Sequence, residues 1–362
     1  MAVVSELPGS AGEFLASLLT KGLAKGVMAL RRLPGSQRVA YSLVTKPEEA
    51  LECDPLFPSM PANGGKAVSR LTLRGAVDRP VAVMMRPCEM RALVELVKLE
   101  QAHVENLILI GVVCGGVLPN RSFQAEERVD SLVEGYWNSL SKGEQPQGVR
   151  PVCEACESFV PQGVDLCWVQ NGPDNGWLEA TSEKGEEILK GLELKELGKD
   201  PDEGWIEALK EKRLAAREKL LASTKESVSG IENLVKVFGK CIACHACSHV
   251  CPICYCKDCF FESATFEYEP ASYERRLEKK GTIRMPMDTV LFHLGRMTHM
   301  ATSCVGCGMC EDSCPTRIPV AQVFKTVGAD LQELFEYLPG RSLQEPLPLT
   351  TFREEEFHQI EE

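Results

Sequence analysis

The sequence predicts an α/β N-terminal domain, a helical linker, a small cysteine-rich α+β domain and a C-terminal tail. Three observations support this division. Strand-like apolar runs alternate with helix-like periods in the first part of the chain, Glu, Lys and Leu dominate the next part, and two copies of one cysteine pattern follow. We place the four parts at residues 1–180, 181–238, 239–325 and 326–362.

The composition is that of a globular protein with a net negative charge. Of the 362 residues, 44% are hydrophobic and 25% are charged, which is sufficient for more than one core. The formal net charge of -12 repels phosphate backbones, so we expect no nucleic-acid partner. No apolar run approaches the ~20 residues of a membrane helix, and the N-terminus lacks the basic region of a signal peptide. We therefore expect a cytoplasmic protein without a membrane span.

Helix-like and strand-like segments alternate in the N-terminal domain. AGEFLASLLTKGL places its apolar residues on one helical face. RPVAVMMRPCEMRALVELVKLEQ reads as a buried strand, a tight turn and a helix, and NLILIGVVCGG reads as a second buried strand. This alternation is typical of an open α/β sheet, where ligands bind at the loops beyond the strand ends. Cys88 and Cys114 lie in two such loops, which a parallel sheet would bring to the same edge.

The linker is expected to be mostly helical. GWIEALKEKRLAAREKLLAS has most of its apolar residues on one helical side and charged residues on the other, which is typical of a helix with one solvated face. This segment joins the α/β domain to the cysteine-rich domain.

Two copies of the pattern C-x2-C-x2-C-x3-C-P define the third part of the chain. In ferredoxins with two 4Fe-4S clusters, the first three cysteines of each copy bind one cluster and the fourth binds the other. We therefore predict a ferredoxin-like domain whose two clusters each draw on both copies. The predicted ligands are Cys241, Cys244, Cys247 and Cys314 for the first cluster and Cys304, Cys307, Cys310 and Cys251 for the second.

Zinc is the alternative metal for such cysteines. Zinc sites usually combine two separated C-x2-C pairs, not a triple followed by C-P, so the spacing favours iron–sulfur clusters. The segment between the two copies is longer than a usual ferredoxin spacer and predicts an insertion, which includes a helix in DTVLFHLGRMTHMATS. We interpret His245 and His249 as neighbours of the first cluster and not as its ligands.

Two lone cysteines and one C-x2-C pair stand apart from these motifs. The pair Cys153 and Cys156 indicates either a redox dithiol or half of a metal site, whereas lone cysteines after strands, such as Cys88 and Cys114, are more often buried thiols. Taken together, these cysteines number four, which is enough for one more metal site.

Three segments around these cysteines resemble a known family. RPCEMRALVELVKLEQ, VVCGG and CEACESFVPQGVDLCWVQNGPDNGW are similar to the beta subunit of the deazaflavin-coenzyme-reducing hydrogenases and the related formate dehydrogenases. The formate dehydrogenase branch, with its appended twin-cluster ferredoxin unit, is the most similar. The resemblance covers residues 10–190 loosely and 240–320 more closely. In that family the beta subunit binds FAD and iron–sulfur clusters, and it passes electrons between a catalytic alpha subunit and the deazaflavin coenzyme or another electron-accepting subunit.

The resemblance implies a third 4Fe-4S cluster next to FAD. By position, its ligands are Cys88, Cys114, Cys153 and Cys156.

The resemblance also implies residues that contact the flavin. Gly172, Asn175 and Gly176 lie in NGPDNGW, where they would let backbone amides approach FAD, although an ordinary surface turn is the alternative. Ser10 and Gly12 begin the first predicted helix, whose N-terminus suits an anion.

The sequence departs from the family in two ways. Its N-terminus is short, which weakens the expectation that the deazaflavin coenzyme itself binds. It also has three extra cysteines in PICYCKDCF, namely Cys254, Cys256 and Cys259. These cysteines are either ligands of a further metal with a distant fourth ligand or thiols close to the first cluster.

These features predict an electron-transfer subunit and not a complete catalyst. The sequence contains no Walker loop, no G-x-G-x-x-G after a first strand and no HExxH, and no catalytic residue is assigned. We expect an iron–sulfur flavoprotein that relays electrons between a catalytic subunit, of formate dehydrogenase or hydrogenase type, and an acceptor subunit. A flavin-free wire and docking subunit is one alternative. A dehydrogenase module that uses a deazaflavin or a nicotinamide is the other.

Overall fold

A mixed β-sheet forms the centre of the N-terminal part. The computed structural model describes residues 3–172, 175–198 and 201–348, and these contain seven strands. They are β1 Val4–Glu6, β2 Gly26–Arg32, β3 Val39–Val44, β4 Val81–Met85, β5 Leu107–Val112, β6 Leu166–Gly172 and β7 Asn175–Ala180. The order across the sheet is β1-β7-β6-β5-β4-β2-β3. Neighbours are parallel from β2 through β4 and β5 to β6, whereas the pairs β1–β7, β6–β7 and β2–β3 are antiparallel.

Helices cover both faces of this sheet, which confirms the predicted α/β domain. They are α1 Ala11–Thr20, α2 Pro47–Ala50, α3 Gly64–Thr72, α4 Pro87–Lys98, α5 Val129–Leu140, α6 Pro151–Glu154 and α7 Glu183–Leu192. Helices α1 and α7 pack on the face that carries Ala82 and Met84, and α3 and α4 pack on the face that carries Val83 and Met85. Because β4 and β5 are buried on both sides, their sequences are nearly continuous apolar runs.

Two helices connect the sheet to the cysteine-rich part, as the predicted helical linker requires. They are α8 Gly204–Val228 and α9 Ile231–Phe238. Trp205, Ile206 and Leu209 at the start of α8 are buried against the sheet domain. Within the described ranges, no helix is both long enough and apolar enough to cross a bilayer.

The cysteine-rich part is helical. Its helices are α10 Ala246–His249, α11 Pro270–Lys280, α12 Thr289–Met300, α13 Met309–Asp312 and α14 Val320–Leu334, with short 3-10 turns at Phe260–Glu262 and Ala264–Phe266. The helix predicted in the insertion is confirmed as α12. Residues 239–325 are all described and contain no strand, so the α+β expectation for this part is wrong. The apolar residues of α12 and α14 pack against each other and against Phe238, which leaves no extended apolar run to form a sheet.

Polar contacts join the cysteine-rich part to the α/β part. Lys66 on α3 donates hydrogen bonds from Nζ to the carbonyl oxygens of His249, at 2.6 Å, and Cys251, at 2.8 Å. Arg150 forms an ion pair with Asp312 at 2.6 Å, and the two side chains are only 4% and 2% exposed. These contacts hold the two cysteine loops against the α/β domain.

The chain after α14 returns to the α/β domain. Glu95 on α4 is fully buried and accepts a hydrogen bond from the backbone N–H of Gly340 at 2.8 Å. Arg91 donates from Nε to the carbonyl of Pro339 at 2.6 Å. Residues 349–362, the end of the predicted tail, lie outside the described residues.

The substitution Asp312→Asn tests the buried ion pair. It leaves the guanidinium of Arg150 buried without its carboxylate, so we expect the free energy of unfolding to fall by about 3–5 kcal/mol. Urea unfolding of the anaerobic holoprotein, followed by circular dichroism, measures this change. Asp330→Asn is the matched control because its pair with Lys225 is 59% and 69% exposed, and we expect a change within about 1 kcal/mol. Equal effects of the two substitutions would contradict the importance of the buried pair.

Candidate cluster-binding site

The first predicted cysteine group is brought together by the fold. Burial raises the pKa of the Cys247 thiol to about 11, and Arg296 lowers it. The pKa is also raised by three nearby thiols, those of Cys241, Cys314 and Cys244. These interactions show that the fourth cysteine of the second copy lies with the first three cysteines of the first copy. This nearness agrees with the predicted exchange of ligands, which itself stays a prediction.

The second predicted group lines one cavity. Its walls include Cys251 from the first copy together with Cys304, Cys307 and Cys310 from the second. The rest of the lining is largely apolar and includes Ile253, Met300, Val305 and Phe324. Four thiols in an apolar cavity match the donor set of a 4Fe-4S cluster.

Equivalent positions of the two copies share an unusual backbone conformation. Ala243 and Gly306, two residues after the first cysteine of each copy, have φ angles of 53° and 68°. His245 and Gly308, four residues after it, have φ angles of 53° and 78°. Left-handed backbone is uncommon for Ala and His, so the two loops have the same path although only one of them has glycines there.

Backbone N–H groups of these loops point to cysteine sulfurs. The N–H of Ala243 donates to Cys241 Sγ at 3.4 Å, and the N–H of Ile318 donates to Cys314 Sγ at 3.4 Å. Such hydrogen bonds stabilise thiolates and help to set cluster potentials. The loops therefore present both the sulfur ligands and the N–H groups that a cluster uses.

The remaining four predicted ligands meet at the edge of the sheet. Cys88 and Cys114 follow β4 and β5, which are adjacent and parallel, so the expectation that the two loops share an edge is confirmed. Burial raises the pKa of Cys153 to about 11, and while Arg150 lowers this pKa, the thiols of Cys114 and Cys156 raise it.

This third group adjoins the second group. Burial raises the pKa of Cys88, and the next causes are Glu89 and the thiols of Cys307, Cys114 and Cys153. Cys88, Cys153 and Cys307 also pack around one small apolar cluster. The cysteines at the sheet edge are therefore neighbours of the cysteine loops.

Within the ranges that the structure describes, no group of three or more His, Cys, Asp or Glu side chains is placed to hold one metal ion. In a cubane each thiolate binds a different iron, so the sulfurs stand further apart than they do around one zinc ion. All 17 cysteines lie in these ranges, and none is in a disulfide.

The three extra cysteines lie in different surroundings. Cys254 Sγ is 3.2 Å from Met300 Sδ, Cys256 is exposed, and Cys259 packs with Phe261. The structure does not gather them around one point.

The two histidines share one carboxylate. His245 Nδ1 and His249 Nε2 each lie 3.4 Å from Glu262 Oε1, and His245 stacks on Phe292 with ring centroids 4.2 Å apart. The interpretation of both side chains as neighbours of the first cluster stays a prediction.

Four buried arginines are the residues that the sequence analysis missed. They are Arg86, Arg150, Arg213 and Arg296. The first two precede Cys88 and Cys153 by two and three residues, so local sequence could have indicated them. Arg213 lies on a helix without cysteines, and Arg296, although it precedes Cys304 by only eight residues, contacts Cys247, 49 positions away in sequence. No local signal marks these contacts.

A cavity of about 460 Å³ lies next to the third cysteine group. Its lining includes Pro87, Val113 and Glu157, each of which is the immediate sequence neighbour of one of the four cysteines. Strands β6 and β7, helix α8 and the returning C-terminal segment form the other walls. This volume is typical of small-molecule pockets, which measure about 300–1,000 Å³.

The predicted flavin contacts lie at the carboxyl edge of the same sheet. Strands β1 and β6 both pair antiparallel with β7, so they run in the same direction. Ser10 and Gly12, after β1, and Gly172, at the end of β6, therefore share the edge of the third cysteine group. Asn175 and Gly176 begin β7 beside them, whereas Pro173 and Asp174 lie outside the described residues. None of the five predicted contacts lines the 460 Å³ cavity.

Contacts within the fold also account for three of these positions. The hydroxyl of Ser10 caps α1 by accepting the N–H of Glu13 at 3.2 Å. A Cβ atom at Gly12 would lie 2.5 Å from the carbonyl oxygen of Leu51, and a Cβ atom at Gly176 would lie 2.3 Å from a carbonyl oxygen of β6. The assignment of these residues to flavin binding stays a prediction.

The fold and the twin cysteine loops define an α/β protein with an appended iron–sulfur domain. Residues 237–318 match the family described as 4Fe-4S dicluster domain. The chain is 28% identical to the F420-dependent formate dehydrogenase subunit beta of Methanocaldococcus jannaschii, over 93% of this chain and 92% of that protein. It is also 28% identical to the F420-dependent formate dehydrogenase 1 subunit beta of Methanococcus maripaludis, over 92% of this chain and 91% of that protein. These relatives confirm the resemblance that the sequence motifs indicated.

A solved structure also aligns with part of the chain. It is the F420-reducing [NiFe] hydrogenase complex from Methanosarcina barkeri, one chain of which has 14% sequence identity and a TM-score of 0.46. The alignment covers 64% of this chain and 94% of that chain.

Double substitutions test the exchange of ligands between the two copies. Cys314→Ala alone should remove about four irons because one cluster loses a ligand. Adding Cys244→Ala should remove no further iron, since both cysteines serve the same cluster. Adding Cys307→Ala instead should remove about four more irons. Iron analysis of anaerobically purified protein measures these counts, and the opposite ranking of the two double variants would contradict the exchange.

Proposed function

We propose that this protein is an FAD- and 4Fe-4S-containing electron-transfer beta subunit of an F420-dependent formate dehydrogenase. It would relay electrons between a catalytic subunit and an electron acceptor. The alignments with the relatives that carry this name cover more than nine-tenths of this chain and more than nine-tenths of each relative. The observation that carries the proposal is that Cys88 of the third group and Cys307 of the second pack against the same small apolar cluster.

The nearness of these two cysteines supports an arrangement in which the three cysteine groups follow one another in space. The third group adjoins the 460 Å³ cavity through sequence neighbours such as Pro87 and Val113. The second group follows, and the thiols of Cys310 and Cys247 lie close enough to interact between the second and first groups. Cys244 of the first group is exposed at the surface. The groups therefore lead from an internal cavity to the outside of the protein.

The bound cofactors would supply the redox chemistry. A flavin exchanges electron pairs with a hydride carrier and single electrons with clusters, and each cluster carries one electron at a time. The role of this chain is then to hold the cofactors in series, to exclude water and to set their potentials. We propose that the flavin ring lies in the 460 Å³ cavity. The lining includes apolar side chains such as Trp177 and Ile206, and it carries both signs of charge, with three cations beside four glutamates.

Two alternatives lead to different observations. A flavin-free wire subunit would contain the clusters but release no flavin on denaturation. A self-sufficient dehydrogenase would be reduced by a deazaflavin or a nicotinamide without any partner. The beta-subunit proposal expects bound FAD and a need for the catalytic subunit before formate reduces the clusters.

Cofactor analysis tests the proposed function. The anaerobically purified protein should contain about twelve irons and one FAD, and Cys153→Ala should contain about eight irons because it loses only the third cluster. The signals of the twin clusters should be unchanged in that variant. Eight irons in the unsubstituted protein, or unchanged iron in the variant, would remove the third cluster from the proposal.

A cavity-blocking substitution tests the position of the flavin. Val160 lines the cavity and is 38% exposed, so Val160→Trp can direct the indole into the cavity without burying it in a core. We expect the FAD content to fall at least about tenfold while the iron content stays the same. Val235→Trp, at a 46% exposed position of α9, is the control and should retain FAD. Loss of FAD in Asn175→Ala but not in Val160→Trp would place the flavin at the sheet-edge turn.

A further inference from the structure

The buried arginines and the predicted clusters occupy the same parts of the molecule. Among the described residues, the buried arginines are Arg86, Arg150, Arg213 and Arg296, and each of them lies beside predicted ligand cysteines. A guanidinium cannot lose its charge at any ordinary pH, so its burial needs a compensating negative charge.

Arg296 lies between the first and second cysteine groups. From α12, its Nη1 donates to Cys247 Sγ at 3.1 Å and its Nη2 donates to the carbonyl of Cys247 at 3.1 Å. It lowers the pKa values of Cys247 and Cys310, which belong to different groups, against the raising effect of burial. One cation therefore faces ligands of both twin clusters.

Arg213 is the buried cation that faces the third cysteine group. Its Nη1 donates to the carbonyl of Cys114 at 3.1 Å, and its guanidinium stacks on Phe159 at 4.5 Å. Arg86 and Arg213 both lower the pKa of Cys114, which burial raises.

Arg150 lies where the second and third groups meet. Its Nη1 donates to the carbonyl of Cys307 at 3.1 Å, and it immediately precedes α6, which contains Cys153. The predicted ligands of all three clusters thus have a buried cation next to them.

The carboxylates of the described residues leave two of these four cations, Arg213 and Arg296, without a balancing charge. In the described part of the chain, no carboxylate lies within salt-bridge distance of Arg213 or Arg296, although Arg150 pairs with Asp312 and Arg86 lies 3.8 Å from Glu89. Each arginine also keeps one nitrogen that has no hydrogen-bond partner among the same residues. These nitrogens are Arg86 Nη1, Arg150 Nε, Arg213 Nη2 and Arg296 Nε. A 4Fe-4S cluster with four thiolates is an anion, and it would supply both the missing charge and sulfur acceptors.

We propose that these buried arginines are positioning residues that raise the reduction potentials of the clusters, with Arg296 acting on the twin clusters and Arg213 on the third. The proposal rests on the proposed function, because it requires the clusters. On reduction a cluster takes up one electron, so the negative charge of the cluster and its thiolates increases by one. A fixed cation in a poorly solvated site stabilises the reduced form more than the oxidised form. Removing that cation must therefore lower the reduction potential.

The variant Arg296→Met tests this effect on the twin clusters. Met keeps an unbranched apolar side chain but removes the charge and the N–H groups. We expect the equilibrium constant for one-electron reduction of at least one twin cluster to fall about tenfold, which corresponds to about 59 mV for a one-electron couple. Dithionite titration of the full-length protein with redox mediators, followed by electron paramagnetic resonance, measures the potential. The third cluster, identified by its absence in Cys153→Ala, should keep its potential.

Two further variants separate charge from packing. Arg296→Lys keeps the charge. We therefore expect the equilibrium constants for one-electron reduction of its clusters to stay within about threefold of those of the unsubstituted protein. Arg213→Met should lower the potential of the third cluster only. Arg275→Met removes an exposed charge of α11 and should change none of the potentials, because water screens it.

The outcomes distinguish this proposal from the proposed function. Fewer than eight irons in the unsubstituted protein would contradict the twin clusters themselves. Full iron content with unchanged potentials in Arg296→Met would overturn the role of the arginine and leave the clusters intact. If Arg296→Met loses iron, the Arg296→Lys variant decides the question. A change of tenfold or more in its equilibrium constant for reduction, despite the retained charge, would overturn the proposal. A change within about threefold supports it.

Discussion

The burial of negative charge is the constraint on which the rest of this structure depends. Iron binds thiolates, which are costly to bury unless a metal, a cation or N–H groups compensate them. Burial raises the pKa of Cys153 and of Cys307 to about 11, so without iron both would be protonated thiols at neutral pH. Iron would replace these protons, and cluster loading would then be coupled to stability and to pH.

Docking of the two parts of the chain is what makes the cysteine groups adjoin. The parallel strands end at one edge and place Cys88 and Cys114 there, but only the packed dicluster domain brings Cys307 to them. Arg150 links the two parts, since it immediately precedes α6 and binds the carbonyl of Cys307 and the carboxylate of Asp312. The ion pair thus contributes to stability and to the position of the cysteines at once.

Short sequence patterns predicted those features of the structure that depend only on residues close together in the chain. The apolar runs before Cys88 and Cys114 predicted their shared sheet edge. The cysteine spacing predicts an exchange of ligands between the two copies, and the nearness of Cys314 to Cys247 agrees with it. The contacts of Arg213 and Arg296 depend on how whole helices pack, which no short pattern records. The cavity wall at Gly340 depends on its hydrogen bond to Glu95, and these two residues are 245 positions apart in the sequence. The α+β expectation failed because the insertion packs as helices on α14 and not as strands.

Magnetic coupling between the clusters tests the central claim most directly, which is that three cysteine groups hold three adjoining clusters. The fully reduced protein is measured anaerobically by electron paramagnetic resonance, with spin quantitation. The account predicts about three spins per chain and a broadened spectrum, because neighbouring reduced clusters interact. Loss of the third group by Cys153→Ala should simplify that spectrum to the twin-cluster pair. Sharp signals from isolated clusters, or about two spins or fewer in the unsubstituted protein, would contradict the account.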